Sequence, residues 1–165
     1  MPTPTYTPLA NVTLGSTTSQ VIFSSISSSY RDLVIVCNAA ISSGTGGLFL
    51  QFNSDGGNNY SFVTMYGTTG GNYASQSVTT AIMYAGYGTN DLDTTFKSNH
   101  LINIMDYSAT DKHKSVLFRT NHVDYQAHAA AGRWASTSAI NTIRVATTSS
   151  TFAAGSTFAL YGVSA

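Results

Sequence analysis

Clusters of glycine, asparagine, aspartate and serine cut this 165-residue chain into short runs rich in β-branched and aromatic residues, and no run shows the 3.6-residue period of a helix. ANVTL, QVIFSSI, DLVIVCNAA and GLFLQFN come first, and in the last of these Leu48, Leu50 and Phe52 alternate with Phe49, Gln51 and Asn53. NSDGGNNYS then reads as a hairpin turn, because Asp-Gly and Asn tolerate positive φ, with SFVTMY returning. Residues 67–78, GTTGGNYASQSV, have no period and read as a long surface loop. KSNHLINIMDYS, KSVLFRTNH, QAHAAAGRWAS, NTIRVATT and STFALYGV complete the set, with VDY linking a hairpin between the second and third of these. The composition agrees: there is no glutamate, lysine is scarce, and Ser, Thr, Gly, Asn and Tyr dominate, so the best surface-helix formers are missing. The expected fold is all-β, a two-sheet antiparallel sandwich resembling a jelly roll, built by residues 10–165.

All three prolines, Pro2, Pro4 and Pro8, fall in the opening MPTPTYTP. Proline fixes φ and cannot donate a backbone hydrogen bond, so residues 1–9 read as an extended arm. The segment has neither the basic stretch nor the apolar run of a secretory signal, which gives the expectation that it is retained.

Seven basic and seven acidic side chains cancel, and charged residues make up only 8% of the chain. Lys97, Lys112, Lys114, Arg31, Arg119, Arg133 and Arg144 are scattered rather than gathered into the stripe that displaces counterions from phosphates, which argues against nucleic acid as a partner. No apolar run approaches the ~20 residues of a membrane-spanning helix. Cys37, the one cysteine, sits within DLVIVCNAA and reads as a buried strand residue rather than a nucleophile.

Catalytic signatures are sparse. No G-x-S-x-G pentapeptide or phosphate-cradling glycine loop occurs, and without glutamate a glycosidase pair would have to be two aspartates. Asp91 and Asp93 in TNDLDTT read as a solvated turn, and NSDGGNN lacks the spaced carboxylates of a calcium loop. His122, Asp124 and His128 in NHVDYQAH could approach across a hairpin, but no local fourth ligand accompanies them. The expectation is therefore no catalytic residue, no metal and no cofactor. The ten tyrosines offer flat amphipathic faces. Tyr107 and Tyr161 are expected in the core, whereas Asn58, Asn59, Tyr60 and Tyr73 are expected on exposed recognition loops.

Three stretches, VTLGSTTSQVIFSSISSSYRDLVIV, LQFNSDGGNNYS and GRWASTSAINTIRVATTSSTFAAGSTFALYGV, together resemble a family of small virion structural proteins of tailed bacteriophages of aquatic bacteria. The resemblance covers most of the chain after the arm and carries no catalytic signature. It implies a non-enzymatic capsid decoration (cement) protein that binds the major capsid protein on the outer surface of the virion. Such a protein would be made in the host cytoplasm and assemble as a homo-oligomer, such as a trimer, with Pro2, Pro4, Tyr6 and Pro8 making contacts between subunits. The alternative implied is a tail-fibre or adhesin module that binds host-surface glycan.

Overall fold

The computed structural model describes residues 4–85, 91–122 and 126–164; Pro2, Tyr87 and Asp124 lie outside them. The described residues contain no helix and twelve strands: β1 (Tyr6–Thr13), β2 (Gln20–Phe23), β3 (Asp32–Ala39), β4 (Leu48–Phe52), β5 (Tyr60–Thr68), β6 (Gly71–Thr80), β7 (Met83–Tyr84), β8 (Ser98–Met105), β9 (Lys114–His122), β10 (Gln126–Trp134), β11 (Ile143–Thr147) and β12 (Thr157–Val163). They form one eight-stranded sheet, ordered β1-β12-β3-β8-β9-β10-β5-β6, and one four-stranded sheet, ordered β2-β11-β4-β7. Every pairing is antiparallel.

The order resolves into a jelly roll with two insertions. The quartet β1-β12-β3-β8 faces β2-β11-β4-β7, the chain crossing between sheets as it passes through β1, β2, β3 and β4, then β7 and β8, then β11 and β12. The hairpin β5–β6 interrupts the passage from β4 to β7, and β9–β10 interrupts that from β8 to β11. The two inserted pairs join each other through β10 and β5, doubling the width of one sheet.

Alternating residues fill the space between the sheets. Leu33, Ile35 and Cys37 of β3, Leu48, Leu50 and Phe52 of β4, Ile102 and Ile104 of β8, Ile143 and Val145 of β11, and Phe158 of β12 are all completely or almost completely buried. Where the inserted strands meet β4, the rings of Phe52, Tyr60 and Trp134 pack together with centroids 5.6–6.4 Å apart. This cluster fixes the crossover between sheets. The Trp134 indole N–H donates to Asp55 Oδ2 at 2.7 Å, Asp55 Oδ1 accepts from Gly57 N at 2.8 Å, and the Tyr60 hydroxyl accepts from Phe52 N at 2.9 Å. Burial raises the Asp55 pKa, but the hydrogen bonds from Trp134, Asn59 and Gly57 outweigh it and leave the carboxyl below its ordinary value.

Several local expectations are corrected. The arm becomes sheet from Tyr6: Tyr6 pairs with Val163 and Pro8 with Tyr161, and Ser164 N donates to Thr5 O at 3.0 Å. Because β1 is an edge strand, a residue without an N–H can be accommodated there, and the register shift between Pro8 and Ala10 marks a bulge. The described part of the arm thus lies on its own chain. Residues 67–78 are the end of β5, a turn at Thr69–Gly70, and most of β6. No alternation announces β6 because none of its residues is buried, so neither face selects apolar side chains. Asp91 and Leu92 are completely buried rather than solvated, held where Leu92 and Gly46 bond reciprocally through their backbones. Tyr107 is buried as expected, its hydroxyl donating to the Ser27 carbonyl, whereas Tyr161 is only half-buried.

Gly162 on β12 lies directly beneath the Tyr30 ring, and a Cβ there would fall within that ring. Gly162→Ala should therefore cost about 1–3 kcal/mol by overpacking, read as a lower urea midpoint with unchanged slope. Gly15→Ala, which meets nothing within 4 Å, serves as the neutral comparison.

Candidate interaction face and the histidine row behind it

The two faces of the large sheet have opposite characters. On the outer face, strand register places Ala159, Val36, Leu101, Arg119, Ala129, Met65 and Ala74 in one row across seven strands. The next row holds Tyr161, Val34, Asn103, Leu117, Ala131, Val63 and Gln76. Val36, Leu117, Val63 and Met65 are 40%, 43%, 49% and 62% exposed. A third row is amide-rich, with Asn38, Asn99 and Asn121 on β3, β8 and β9; Asn38 Nδ2 donates to Asn99 Oδ1 at 2.6 Å and Asn99 N to Asn121 Oδ1 at 3.2 Å. Alternation along the strands makes this face: hydrophobic residues recur outward as well as inward, so the sheet is amphipathic only in part.

Seven strands and two rows give a centre of roughly 500 Å², apolar side chains interrupted by Arg119 and Asn103, and the whole outer face is about 1,000 Å². Four large apolar side chains left exposed on one face mark it as a candidate interaction surface. Shallow grooves cross it. One is lined by Tyr6, Val34, Val36, Leu101, Asn103 and Tyr161. Another, of about 820 Å³, is bordered on this face by Met65, Asn72, Ala74, Arg119, Ala127 and Ala129.

The small sheet presents a different exterior. Arg144 reaches across three strands, Nε donating to Gln20 and Nη1 to Gln51, both at 2.6 Å, while its guanidinium lies 5.2 Å from the Phe49 ring centre. Two of its five N–H donors are thereby held within the small sheet.

Behind the interaction face, on the inner side of the large sheet, Cys37, His100, Thr120, His128 and Tyr66 stand in register on β3, β8, β9, β10 and β5. Tyr66 stacks on His128 at 5.2 Å and on Tyr73 at 5.3 Å. His128 Nε2 lies 2.8 Å from Gln126 Oε1 and 3.7 Å from Asp91 Oδ1, while His122 Nε2 is 3.1 Å from Asp93 Oδ2. The shorter His128 contact is the hydrogen bond. The two histidines of the NHVDYQAH motif thus share a face, each with its own carboxylate neighbour, while Asp124 lies outside the described residues. Among the described residues no three His, Cys, Asp or Glu side chains are grouped to hold a metal ion. Burial pushes the Cys37 thiol up, which suits a packing role.

The expected recognition loop is reassigned in part. Asn58 and Asn59 are exposed, and Asn59 Nδ2 donates to Asp55. Tyr60 is 1% exposed and cannot meet a ligand: burial drives its hydroxyl up to about 12, and its hydrogen bonds face the Phe52 backbone. Tyr73 is 48% exposed, on β6 rather than a loop. The outer face escaped sequence reading because it depends on cross-strand register. The alternation of Leu117, Arg119 and Asn121 with buried Val116, Phe118 and Thr120 was its one local signal.

No family model and no curated protein matches this chain. Among solved structures, it is similar to the marine PL-14 alginate lyase from Aplysia kurodai, with 12% identity, 83% of this chain and 72% of that chain covered, and a TM-score of 0.32. It is also similar to a protein of unknown function from Shewanella oneidensis MR-1, with 10% identity, coverages of 96% and 76%, and a TM-score of 0.23. Likenesses this distant carry no information about activity.

His100 is buried with neither ring nitrogen hydrogen-bonded within the protein, and burial, reinforced by His128, pushes its pKa down to about 3. The His128 pKa is lowered by burial against the opposing pull of Asp91, with His122 adding to the fall. Both rings are therefore neutral in the fold, while the unfolded chain takes up protons below about pH 6.5. The histidine contribution to stability should be constant from about pH 7.5 to 8 and fall as pH drops from 6.5 towards 3, by about 2 kcal/mol at pH 5 for His100 alone. Urea titrations at pH 7.5 and 5 check this, and His100→Gln should remove much of the slope.

Proposed function

We propose that this protein is a non-enzymatic structural component of a tailed-bacteriophage virion, a capsid decoration protein that binds the major capsid protein through the outer face of its large sheet. The observation that carries the reading is the broad, exposed face centred on Val36, Leu117, Val63 and Met65, in which Arg119 and Arg133 are the exposed cations. Its full area, about 1,000 Å², exceeds the roughly 800 Å² that each partner contributes to a standard interface. Alternating Ala and Val with an asparagine border suits sheet-on-surface packing in which few charges need desolvation. The resemblance of the VTLGS, LQFNSDGGNNYS and GRWAS stretches to virion structural proteins supports the same assignment. Tyr6, 57% exposed beside Val36 and Tyr161, would contact the partner at the margin of the face. The protein would then act on the outer surface of the capsid, as an oligomer, after synthesis in the host cytoplasm.

A second reading, recognition of host-surface glycan by a tail appendage, draws on the β5–β6 margin, where Asn72 and Arg119 border the open groove of the outer face and Tyr73 exposes its ring on the opposite side. Glycan-array binding lost on Tyr73→Ala or Arg119→Ala would favour it.

The decoration reading is tested on particles. Leu117→Asp and Met65→Asp each place a charge at the centre of the face, and should lower incorporation into virions at least tenfold, since an unpaired charge buried at an interface costs about 2–5 kcal/mol. Their denaturant midpoints should stay within about 0.5 kcal/mol of the parent, because both sites are exposed in the free chain. Ile22→Asp, at a position 51% exposed on the small sheet, should incorporate normally. Equal incorporation of all three variants would dismiss the face as the docking site.

A further inference from the structure

The eight-stranded sheet has two edges, and they are finished differently. The β1 edge carries Pro8 and a bulge between Pro8 and Ala10, with Pro4 just before it, and these features keep another strand from adding to it. The β6 edge has no such protection. Gly71–Thr80 runs ten residues, GNYASQSVTT, with no charged residue and no proline, and no residue in it is buried. Its pairing with β5 turns through Thr69–Gly70, which makes Thr68 and Gly71 a hydrogen-bonded pair. Bonding then alternates, so Tyr73 and Ser75 spend their backbone groups on β5, while Asn72, Ala74 and Gln76 turn their N–H and C=O groups outward.

From this edge we propose that two copies of the chain join by antiparallel pairing of β6 with β6 about a two-fold axis, making one continuous sheet across the dimer. The second copy is the occupant for two reasons. The guarded β1 edge does not receive β6 of another molecule, so head-to-tail growth of the large sheet is closed and the isologous β6 contact is the one that extends it. The strand is also self-complementary: with no charges on it, no like charges meet in any antiparallel register. A two-fold axis normal to the sheet requires opposed residues to lie on the same face, and centring it on Ala74 sets Asn72 opposite Gln76 across the junction. The outer faces of both copies then form one surface with Met65 of each close to the axis, since Met65 pairs with Ala74. The inference stands on the edge strand alone and does not need the capsid reading. A dimer differs from the trimer that the resemblance implies, and the measured mass distinguishes the two.

The test is the mass of the purified full chain by light scattering, together with amide exchange as a function of concentration. The expected mass is twice the 17.4 kDa of the chain, with the amides of Asn72, Ala74 and Gln76 exchanging at least tenfold more slowly in the concentrated sample than in the dilute one. Ala74→Pro removes an outward N–H and leaves the β5 bonds in place, and Gln76→Lys sets a charge on the edge; each should return the mass to 17.4 kDa. Gln76→Lys keeps the test valid should the proline variant fold poorly. A wild-type monomer, a trimer, or a dimer whose three amides remain unprotected would overturn the proposal. So would a dimer that survives both substitutions, whatever the result on particles.

Discussion

The hydrogen bond from the Trp134 indole to the Asp55 carboxylate joins parts of the molecule that would otherwise be separately anchored. Asp55 lies in the connection from β4 of the small sheet to β5 of the large one, and Trp134 closes β10, the strand on which β5 pairs. With Phe52 and Tyr60 packed beside the indole, this contact sets the height and angle at which the inserted strands leave the jelly roll. The wide outer face exists because β5 and β10 are held coplanar with β8 and β9. A polar loop sequence, NSDGGNN, thereby does the work of a core element.

How much of this was legible in the sequence depended on whether a residue's environment was set locally. The alternation in GLFLQFN and KSVLFRTNH marks strands with one buried face, and both are strands. Cys37 and Tyr107 were placed in the core by the apolar runs around them. The failures share one cause. Tyr60 follows two asparagines and looks exposed, yet its ring fills space created by Trp134, 74 positions later. Asp91 looks like a turn residue, but it is buried near His128. β6 leaves no periodic trace because exposure on both sides imposes none. The interaction face was invisible for a similar reason: Val36, Leu101, Met65 and Leu117 are scattered along the chain, and only register aligns them.

The polar row inside the sheet and the apolar field outside it invert the usual arrangement over part of this fold. His100, Thr120, His128 and Thr64 are buried, yet the ring nitrogens of His100, Nδ1 of His128 and both threonine hydroxyls lack hydrogen-bond partners among the described residues. Each such group costs about 1–3 kcal/mol, so the inserted half of the sheet gains less from its interior than the jelly-roll half does. Side chains that would add to the core, such as Val63 and Leu117, instead face outward. This distribution sacrifices folding free energy and leaves apolar area for association.

Local stability must therefore fall from the middle of the large sheet towards its margins, most of all towards β6. β3 contributes Leu33, Ile35, Cys37 and Ala39 with no exposed surface, whereas β6 contributes no buried residue. A sheet graded in this way opens from its margins, as a zipper does, and backbone bonds nearest β6 break and re-form many times for each opening at β3. For a molecule under mechanical load, the direction of pull then matters more than its total stability. Force applied along the strands shears the whole ladder at once, while force lifting β6 away from β5 parts one pair of bonds after another.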